Sequence, residues 1–103
     1  MSKYHAKKTR VGDKVFDSKK EANRYAELVL MERAKAIAGL QTQVRFPLIP
    51  KTSYGKEIVY IADFVYYEDG KLVVEDTKGF RTDVYKLKKR MLAEKYGIVI
   101  KET

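Results

Sequence analysis

The chain of 103 residues carries 22 lysines and arginines against 14 acidic residues, a formal net charge of +8. This length suits one compact domain, and a small domain with so much positive charge is expected to bind a polyanion, nucleic acid before membrane. A basic protein without such a partner is the alternative. Because there is no cysteine and His5 is the only histidine, disulfides, thiolate catalysis and multi-histidine metal sites are excluded.

Aspartate, glutamate, lysine, arginine and tyrosine remain as the residue types for chemistry. This set favours Mg²⁺ or Mn²⁺ held by carboxylates, because these hard cations prefer oxygen ligands. The sequence contains no apolar run of the ~18 residues that a membrane-spanning helix needs, and no apolar core of a secretion signal. We therefore expect no membrane partner and a location in a reducing cytoplasm.

The N-terminal 16 residues are interpreted as a basic arm, and residues 17–103 as the folded domain. Lys7, Lys8 and Arg10 are candidates for contacts with phosphates. The alternative is a solvated, frayed terminus. Residues 11–16 are predicted to form a short extended piece around a Gly-Asp turn.

A first helix is predicted over residues 17–38, with Gly39 as its stop signal. Ser18 and Glu21 match the S-x-x-E capping box at its start. Glu21 therefore has two candidate roles, which do not exclude each other: a helix cap, and a metal ligand or a carboxylate that holds water.

Two strands are predicted next, over residues 40–49 and 57–67. Pro47 makes the first an edge or bent strand. The second is apolar on both faces, as in a sheet covered on both sides, and Asp63 is its exception. An unpaired charge in such a strand is costly, so Asp63 is interpreted as a metal ligand. A salt bridge, or exposure at a strand bend, is the alternative.

Asp69 and Gly70 predict a type I′ hairpin turn, followed by a third strand over residues 72–78. Closing this hairpin places Tyr67 opposite or close to Leu72. Asp63 then lies opposite Asp76 or one residue away. Since two neighbouring carboxylates repel each other unless a cation lies between them, the hairpin predicts a metal site.

The third strand ends in an acid, a spacer and a lysine. Strand side chains alternate between faces, so Asp76 and Lys78 are expected on one face and Glu75 on the other. A carboxylate there can hold a divalent cation, and an ammonium can stabilise charge on an attacked phosphate or its attacking water. Glu75 is the alternative ligand, because a bulge would exchange the faces.

A second helix is predicted over residues 83–96, capped by Thr82 and ended by Gly97. The third strand, this helix and a final strand over residues 98–101 should form a right-handed crossover, in which the final strand runs parallel to the third. Lys86 and Lys89 in the helix, with Arg81 before it, are candidates for phosphate contacts. The alternative is a solvated basic face.

The order helix, three strands, helix and strand, with an early glutamate, a strand aspartate and an acid-x-lysine, resembles the PD-(D/E)XK nuclease superfamily over residues 18–100. A narrower resemblance, to small phage-encoded nuclease-like proteins of unassigned function, rests on five motifs: K-Y-H-x-K-K-T, F-D-S-K-K-E-A, R-F-P-L-I-P, Y-I-A-D-F-V-Y and V-V-E-D-T-K-G. The resemblance implies an α/β (α+β), restriction-endonuclease-like αβββαβ core, a mixed four-stranded sheet flanked by helices.

The resemblance also implies roles for individual residues. Asp63 and Asp76 would bind Mg²⁺ (or Mn²⁺), and Lys78 would position or activate the attacking water. Glu21 would match the helix glutamate of many members. Ala62 stands where the superfamily name has proline.

We therefore expect a metal-dependent endonuclease that hydrolyses DNA phosphodiesters, with branched or junction DNA in phage replication or recombination as a candidate substrate. One domain presents one active site, so cutting two strands would suggest a homodimer. If the chain is phage-encoded, the cytoplasm is that of the bacterial host. The alternative is a non-catalytic basic DNA- or RNA-binding module on the same fold, in which Asp63, Asp76 and Lys78 form a structural ion-pair cluster.

Overall fold

The computed structural model describes residues 8–77 and 81–103, which form an α+β domain. In chain order its elements are β1 (Thr9–Val11), β2 (Lys14–Phe16), α1 (Lys19–Arg33), β3 (Ala38–Ile49), β4 (Ile58–Glu68), β5 (Lys71–Asp76), α2 (Asp83–Tyr96) and β6 (Lys101–Glu102). From α1 onward the order is helix, three strands, helix and strand, so the predicted order is confirmed.

Four strands form one mixed sheet in the order β3-β4-β5-β6. The first three are antiparallel, and β6 runs parallel to β5, which confirms the predicted direction of the crossover through α2. β3 lies at the edge, as Pro47 predicted. The last strand begins at Lys101 instead of Ile98, because Ile98 and Ile100 pack into the core ahead of it.

Each face of the sheet is covered by one helix and its own apolar cluster. The α1-side cluster is built from Phe16, Ala22, Leu28, Ile37, Phe64 and Tyr66. The α2-side cluster is built from Leu48, Tyr60, Ala62, Val65, Val74, Tyr85, Leu92 and Ile100. The sheet is therefore the middle of three layers, and its central strands are buried on both sides.

The side chains of β4 do not alternate along the whole strand. Tyr60 and Ala62 belong to the α2-side cluster, whereas Phe64 and Tyr66 belong to the α1-side cluster. Regular alternation along a strand predicts that these four residues share one face, and this prediction is wrong. The change of face occurs at Asp63, although the pairing with β3 continues without a shift from Gln41 to Pro47. Regular alternation holds only while the backbone is regularly extended.

Helix α1 ends at Arg33, five residues before the predicted end at Ala38. The N–H of Lys35 donates to the Glu32 carbonyl at 3.0 Å, and the N–H of Ala36 donates to the Met31 carbonyl at 2.9 Å. These are the two bonds of a Schellman motif, whose left-handed residue is usually glycine. Here that residue is Lys35, with φ 64°, so the sequence carries no stop signal at the true end.

The turn between β4 and β5 and the segment before α1 both follow local sequence signals. Asp69 and Gly70 have φ values of 53° and 75°, the type I′ turn that their sequence predicted. Residues 9–16 form a β1–β2 hairpin in which Phe16 is buried against α1. The second half of the predicted basic arm is therefore folded onto the domain.

Within the described residues, no helix is long and apolar enough to cross a membrane.

Candidate functional site

A row of polar residues crosses the sheet. Phe64 of β4 pairs with Thr42 of β3 on one side and with Glu75 of β5 on the other. One residue further along, Gln43, Asp63 and Asp76 therefore lie opposite one another on the same three strands. Asp76 in turn pairs with Glu102 of β6. The hairpin register is the predicted one, since Tyr67 pairs with Leu72. Three neighbouring strands thus contribute Asp63, Asp76 and Glu102 to one line.

Asp63 and Asp76 are in direct contact. The backbone N–H of Asp63 donates to Oδ1 of Asp76 at 3.4 Å. Asp63 Oδ2 accepts two hydrogen bonds at 3.0 Å, from the backbone N–H and the hydroxyl of Thr77. Asp76 is fully buried and Asp63 is half-buried. The hairpin therefore places two aspartates at opposed positions at the end of β5, with Asp63 the more accessible of the two.

Glu75 lies on the other face of β5, under α1. Its carboxylate accepts two hydrogen bonds from Arg24, one from the Tyr66 hydroxyl at 2.6 Å and one from the Thr103 hydroxyl at 3.2 Å. Burial alone would raise the pKa of Glu75, but the hydrogen bonds from Arg24 and Tyr66 bring it below its ordinary value. Both oxygens are thus engaged in a buried network, and Asp76 is the acid next to Asp63.

Glu21 is buried at the start of α1, with 8% of the residue exposed. Its backbone N–H donates to Ser18 Oγ at 3.0 Å, which confirms Ser18 as the helix cap. Its Oε2 accepts a hydrogen bond from Gln43 Nε2 at 3.2 Å. Glu21 and Gln43 line a cleft of about 230 Å³ together with Lys14 and Asp17 of the hairpin side.

Within residues 8–77 and 81–103, no three side chains of histidine, cysteine, aspartate or glutamate form a group that could hold a metal ion. The acidic site in this part of the chain is therefore the pair Asp63–Asp76, and Glu21 does not complete it as a third ligand.

Glu102 forms ion pairs with two basic residues beside the Asp63–Asp76 pair. Arg81 and Lys89 form ion pairs with its carboxylate at 2.9 and 3.2 Å, and the Tyr85 hydroxyl donates to it at 2.6 Å. Hydrogen bonds from Arg81 and Tyr85 lower the pKa of Glu102 to about 2. Two of the predicted phosphate contacts, Arg81 and Lys89, are thus paired with Glu102, which lies next to Asp76 in the sheet.

The other predicted phosphate contacts differ in their surroundings. Lys86 is exposed on α2 and forms no ion pair with a described residue. Lys8 and Arg10 are exposed at the β1–β2 hairpin. Lys7 and Lys78 lie outside the described residues, so the predicted role of Lys78 has no structural counterpart here.

Three residues of the site carried no predicted role. Arg24 could have been sought, because a buried Glu75 needs a cation and α1 covers its face. Glu102 could have been placed by extending the parallel strand one residue beyond the predicted end. Gln43 had no signal, because an exposed glutamine in an alternating strand is ordinary.

A family model described as "Protein of unknown function (DUF1064)" matches residues 1–102 of the chain. No curated protein and no solved structure gave a significant match.

Proposed function

Since the chain belongs to the DUF1064 family over residues 1–102, whose function is unknown, we propose its function from the site itself. We propose a Mg²⁺-dependent endonuclease that hydrolyses phosphodiester bonds of DNA. The residues that carry the reaction would be Asp63, Asp76 and Lys78.

The contact between Asp63 and Asp76 is the observation that carries this proposal. Their strands are adjacent, and the Asp63 N–H donates to Asp76 Oδ1 at 3.4 Å. Like charges at opposed positions of adjacent strands repel each other, and a fully buried Asp76 adds the cost of removing a charge from water. A bound divalent cation would offset both costs.

The donor set fits Mg²⁺. Both side chains offer carboxylate oxygens, which are the ligands that hard cations prefer. Mg²⁺ in nucleic-acid enzymes is typically held by one or two carboxylates, with water and substrate phosphate oxygens completing its shell. A pair of aspartates without a third acidic ligand is therefore sufficient for this ion.

Four residues of the chain would have separate roles in the reaction. When bound, the cation supplies charge stabilisation at the attacked phosphate and makes a water molecule more acidic. Asp63, the more accessible carboxylate, would face the substrate side, and Asp76 would anchor the cation from within the sheet. Lys78 follows Asp76 by two residues and would stabilise negative charge on the phosphate. Lys86 would contact the DNA backbone.

The test is cleavage of supercoiled plasmid and of a synthetic four-way junction, each with Mg²⁺, Mn²⁺ or a chelator. We expect cutting with either metal and none with the chelator. Asp76→Asn and Lys78→Ala should lower the rate about 100-fold or more, because each removes a group worth several kcal/mol at the transition state. Binding of DNA by Lys78→Ala should be nearly unchanged.

Asp69→Asn is the matched control, because it removes the same charge from the turn of the same hairpin. Asparagine tolerates the left-handed backbone of that position, so the variant should fold and cut as the wild type does. Normal cutting by Asp76→Asn would refute the site assignment. Cutting that persists in chelator would refute the metal dependence.

A non-catalytic DNA- or RNA-binding module is the second candidate. It is favoured by the pairing of Arg81 and Lys89 with Glu102, which makes a structural ion cluster beside Asp76. Such a module would bind nucleic acid without metal and cut none of the substrates. We prefer the nuclease because a binding module does not require two acids at opposed positions of adjacent strands, whereas a metal site does.

Cutting both strands of a duplex, or both arms of a junction, would require two active sites. We propose that a homodimer provides them, since each chain presents one. Sedimentation analysis with and without junction DNA measures this directly. A protein that stays monomeric on the junction and still resolves it would overturn the dimer but not the nuclease.

A further inference from the structure

Gln43 combines an exposed side chain with a left-handed backbone inside a strand, at φ 54°. Side chains other than glycine rarely adopt this conformation, because Cβ crowds the backbone. Two other described residues do so, and each has a local reason: Lys35 ends α1 and Asp69 forms a turn. Gln43 lies at neither a helix end nor a turn. A requirement other than reversing the direction of the chain therefore keeps Gln43 in this left-handed conformation.

Packing does not explain the conformation, since Gln43 belongs to neither apolar cluster. The Gln43 side chain forms a hydrogen bond to α1, in which its Nε2 donates to Glu21 Oε2 at 3.2 Å. The acceptor is buried, with 8% exposed, although the donor residue is exposed. The side chain is thus used to hold a buried carboxylate at the wall of the cleft.

The position of Gln43 in the sheet links this carboxylate to the acidic pair. Thr42 pairs with Phe64 and Val44 pairs with Ala62, so Gln43 stands opposite Asp63. At this row both strands change the face on which their side chains lie: Leu40 packs on the α1 side and Val44 on the α2 side. One residue therefore contacts Glu21 and neighbours Asp63.

We propose that Gln43 is a positioning residue, whose left-handed backbone aims its amide at Glu21 and so fixes that carboxylate against β3, the strand next to Asp63. This inference rests on the proposed metal-dependent nuclease. Groups that orient the surroundings of a metal site from outside its ligand shell commonly change metal affinity 10- to 100-fold. Glu21 and Gln43 act as one unit in this arrangement, so removing either should have the effect of removing both.

The experiment uses the full chain and measures three quantities: Mn²⁺ affinity by calorimetry without DNA, Tm without metal, and the single-turnover rate of DNA cleavage. Gln43→Gly removes the side chain and suits the left-handed backbone. Gln43→Asn also tolerates this backbone but is one methylene too short to reach Glu21. Gln41→Gly is the matched control, an exposed glutamine two residues earlier without a positive φ.

We expect Gln43→Gly and Gln43→Asn to weaken Mn²⁺ binding about 10-fold and to lower the cleavage rate, with a Tm no lower than the wild type. Gln41→Gly should show the reverse, an unchanged Mn²⁺ affinity and a lower Tm. Glu21→Gln should lose as much Mn²⁺ affinity as Gln43→Gly. The double variant should lose no more than either single one.

Wild-type Mn²⁺ affinity in Gln43→Gly would overturn the positioning role and leave the nuclease intact. Losses that multiply in the double variant would overturn the coupling of Gln43 to Glu21, and with it this role. A wild-type protein that binds no Mn²⁺ would overturn the proposed function and this inference together. A lower Tm in both Gln43 variants, with unchanged metal affinity, would make Gln43 a folding residue only.

Discussion

Arg24 in α1 and Glu75 in β5 form a two-pronged ion pair across 51 residues of chain. Arg24 Nε donates to Glu75 Oε2 at 2.6 Å, and a terminal nitrogen of Arg24 donates to Oε1 at 3.0 Å. The Glu75 side chain is fully buried, and 19% of the Arg24 side chain is exposed. This ion pair fixes α1 against the sheet one residue from Asp76. It therefore holds in place the strand that carries one member of the Asp63–Asp76 pair.

Removing Arg24 should strongly destabilise the fold, because it leaves Glu75 charged and buried. We expect Arg24→Met to lower the free energy of unfolding by about 3–5 kcal/mol. Urea denaturation at neutral pH measures the loss. Arg45→Met is the control, since its pair with Glu57 is about half exposed and should be worth about 0–1 kcal/mol. Equal losses in the two variants would contradict the role of the buried pair.

The stability that Glu102 contributes should depend on acid pH. Hydrogen bonds from Arg81 and Tyr85 lower its pKa from the ordinary 4.5 to about 2 in the folded chain. A carboxyl with a lowered folded pKa stabilises the fold above its unfolded pKa, and this is lost as pH falls through the folded one. The difference in unfolding free energy between wild type and Glu102→Gln should therefore be full above pH 4.5 and shrink towards pH 2.

Urea denaturation across this pH window tests the prediction for Glu102. Glu94→Gln is the control, because the Glu94 side chain is 76% exposed and its pair with Arg90 is long, at 4.0 Å. We expect that variant to match the wild type throughout. A wild-type advantage over Glu102→Gln that is the same at pH 6 and pH 2 would contradict the prediction.

Lys86 and Lys89 should differ in their effect on DNA binding, if the proposed function holds. Lys86 is exposed without an ion pair to a described residue, whereas Lys89 is paired with Glu102 at 3.2 Å. Lys86→Ala should reduce the slope of log affinity against log salt by about 1, as for one lost phosphate contact. Lys89→Ala should reduce it less. Fluorescence anisotropy over a salt series gives both slopes.

Lys51→Ala serves as the control for these slopes, because it removes the same charge from the connection between β3 and β4. Its slope should equal that of the wild type. The same reduction in all three variants would mean that binding depends on total charge and on no particular lysine.

The end of α1 offers a stability prediction of opposite sign. Lys35 has φ 64° in the Schellman motif, where glycine avoids the crowding of Cβ. Lys35→Gly should therefore stabilise the fold by about 1 kcal/mol. Gly39 has φ 66° and lies close to the Tyr67 ring, so Gly39→Ala should destabilise it by a similar amount, about 1 kcal/mol. Thermal unfolding of the two variants shows whether Tm moves in opposite directions.

The sequence by itself determined the elements that local chemistry controls. Thr82 caps α2 and Gly97 ends it, at the predicted residues. The turn at Asp69 and Gly70 set the register of β4 against β5, because a two-residue I′ turn leaves the pairing no freedom. That register is what brought Asp63 to Asp76. Periodicity and turn chemistry were enough here, since each acts over a few residues.

The tertiary structure decided what depends on partners far along the chain. Alternation placed Glu75 and Asp76 on opposite faces, but only α1, packed on one of those faces with Arg24, gave Glu75 its ion pair. The change of face at Asp63 follows from packing the sheet between two helices, and no local signal predicts either that change or the left-handed backbone of Gln43. Long-range packing overrides regular alternation when both faces of a strand are buried, because each face must then fill its own core.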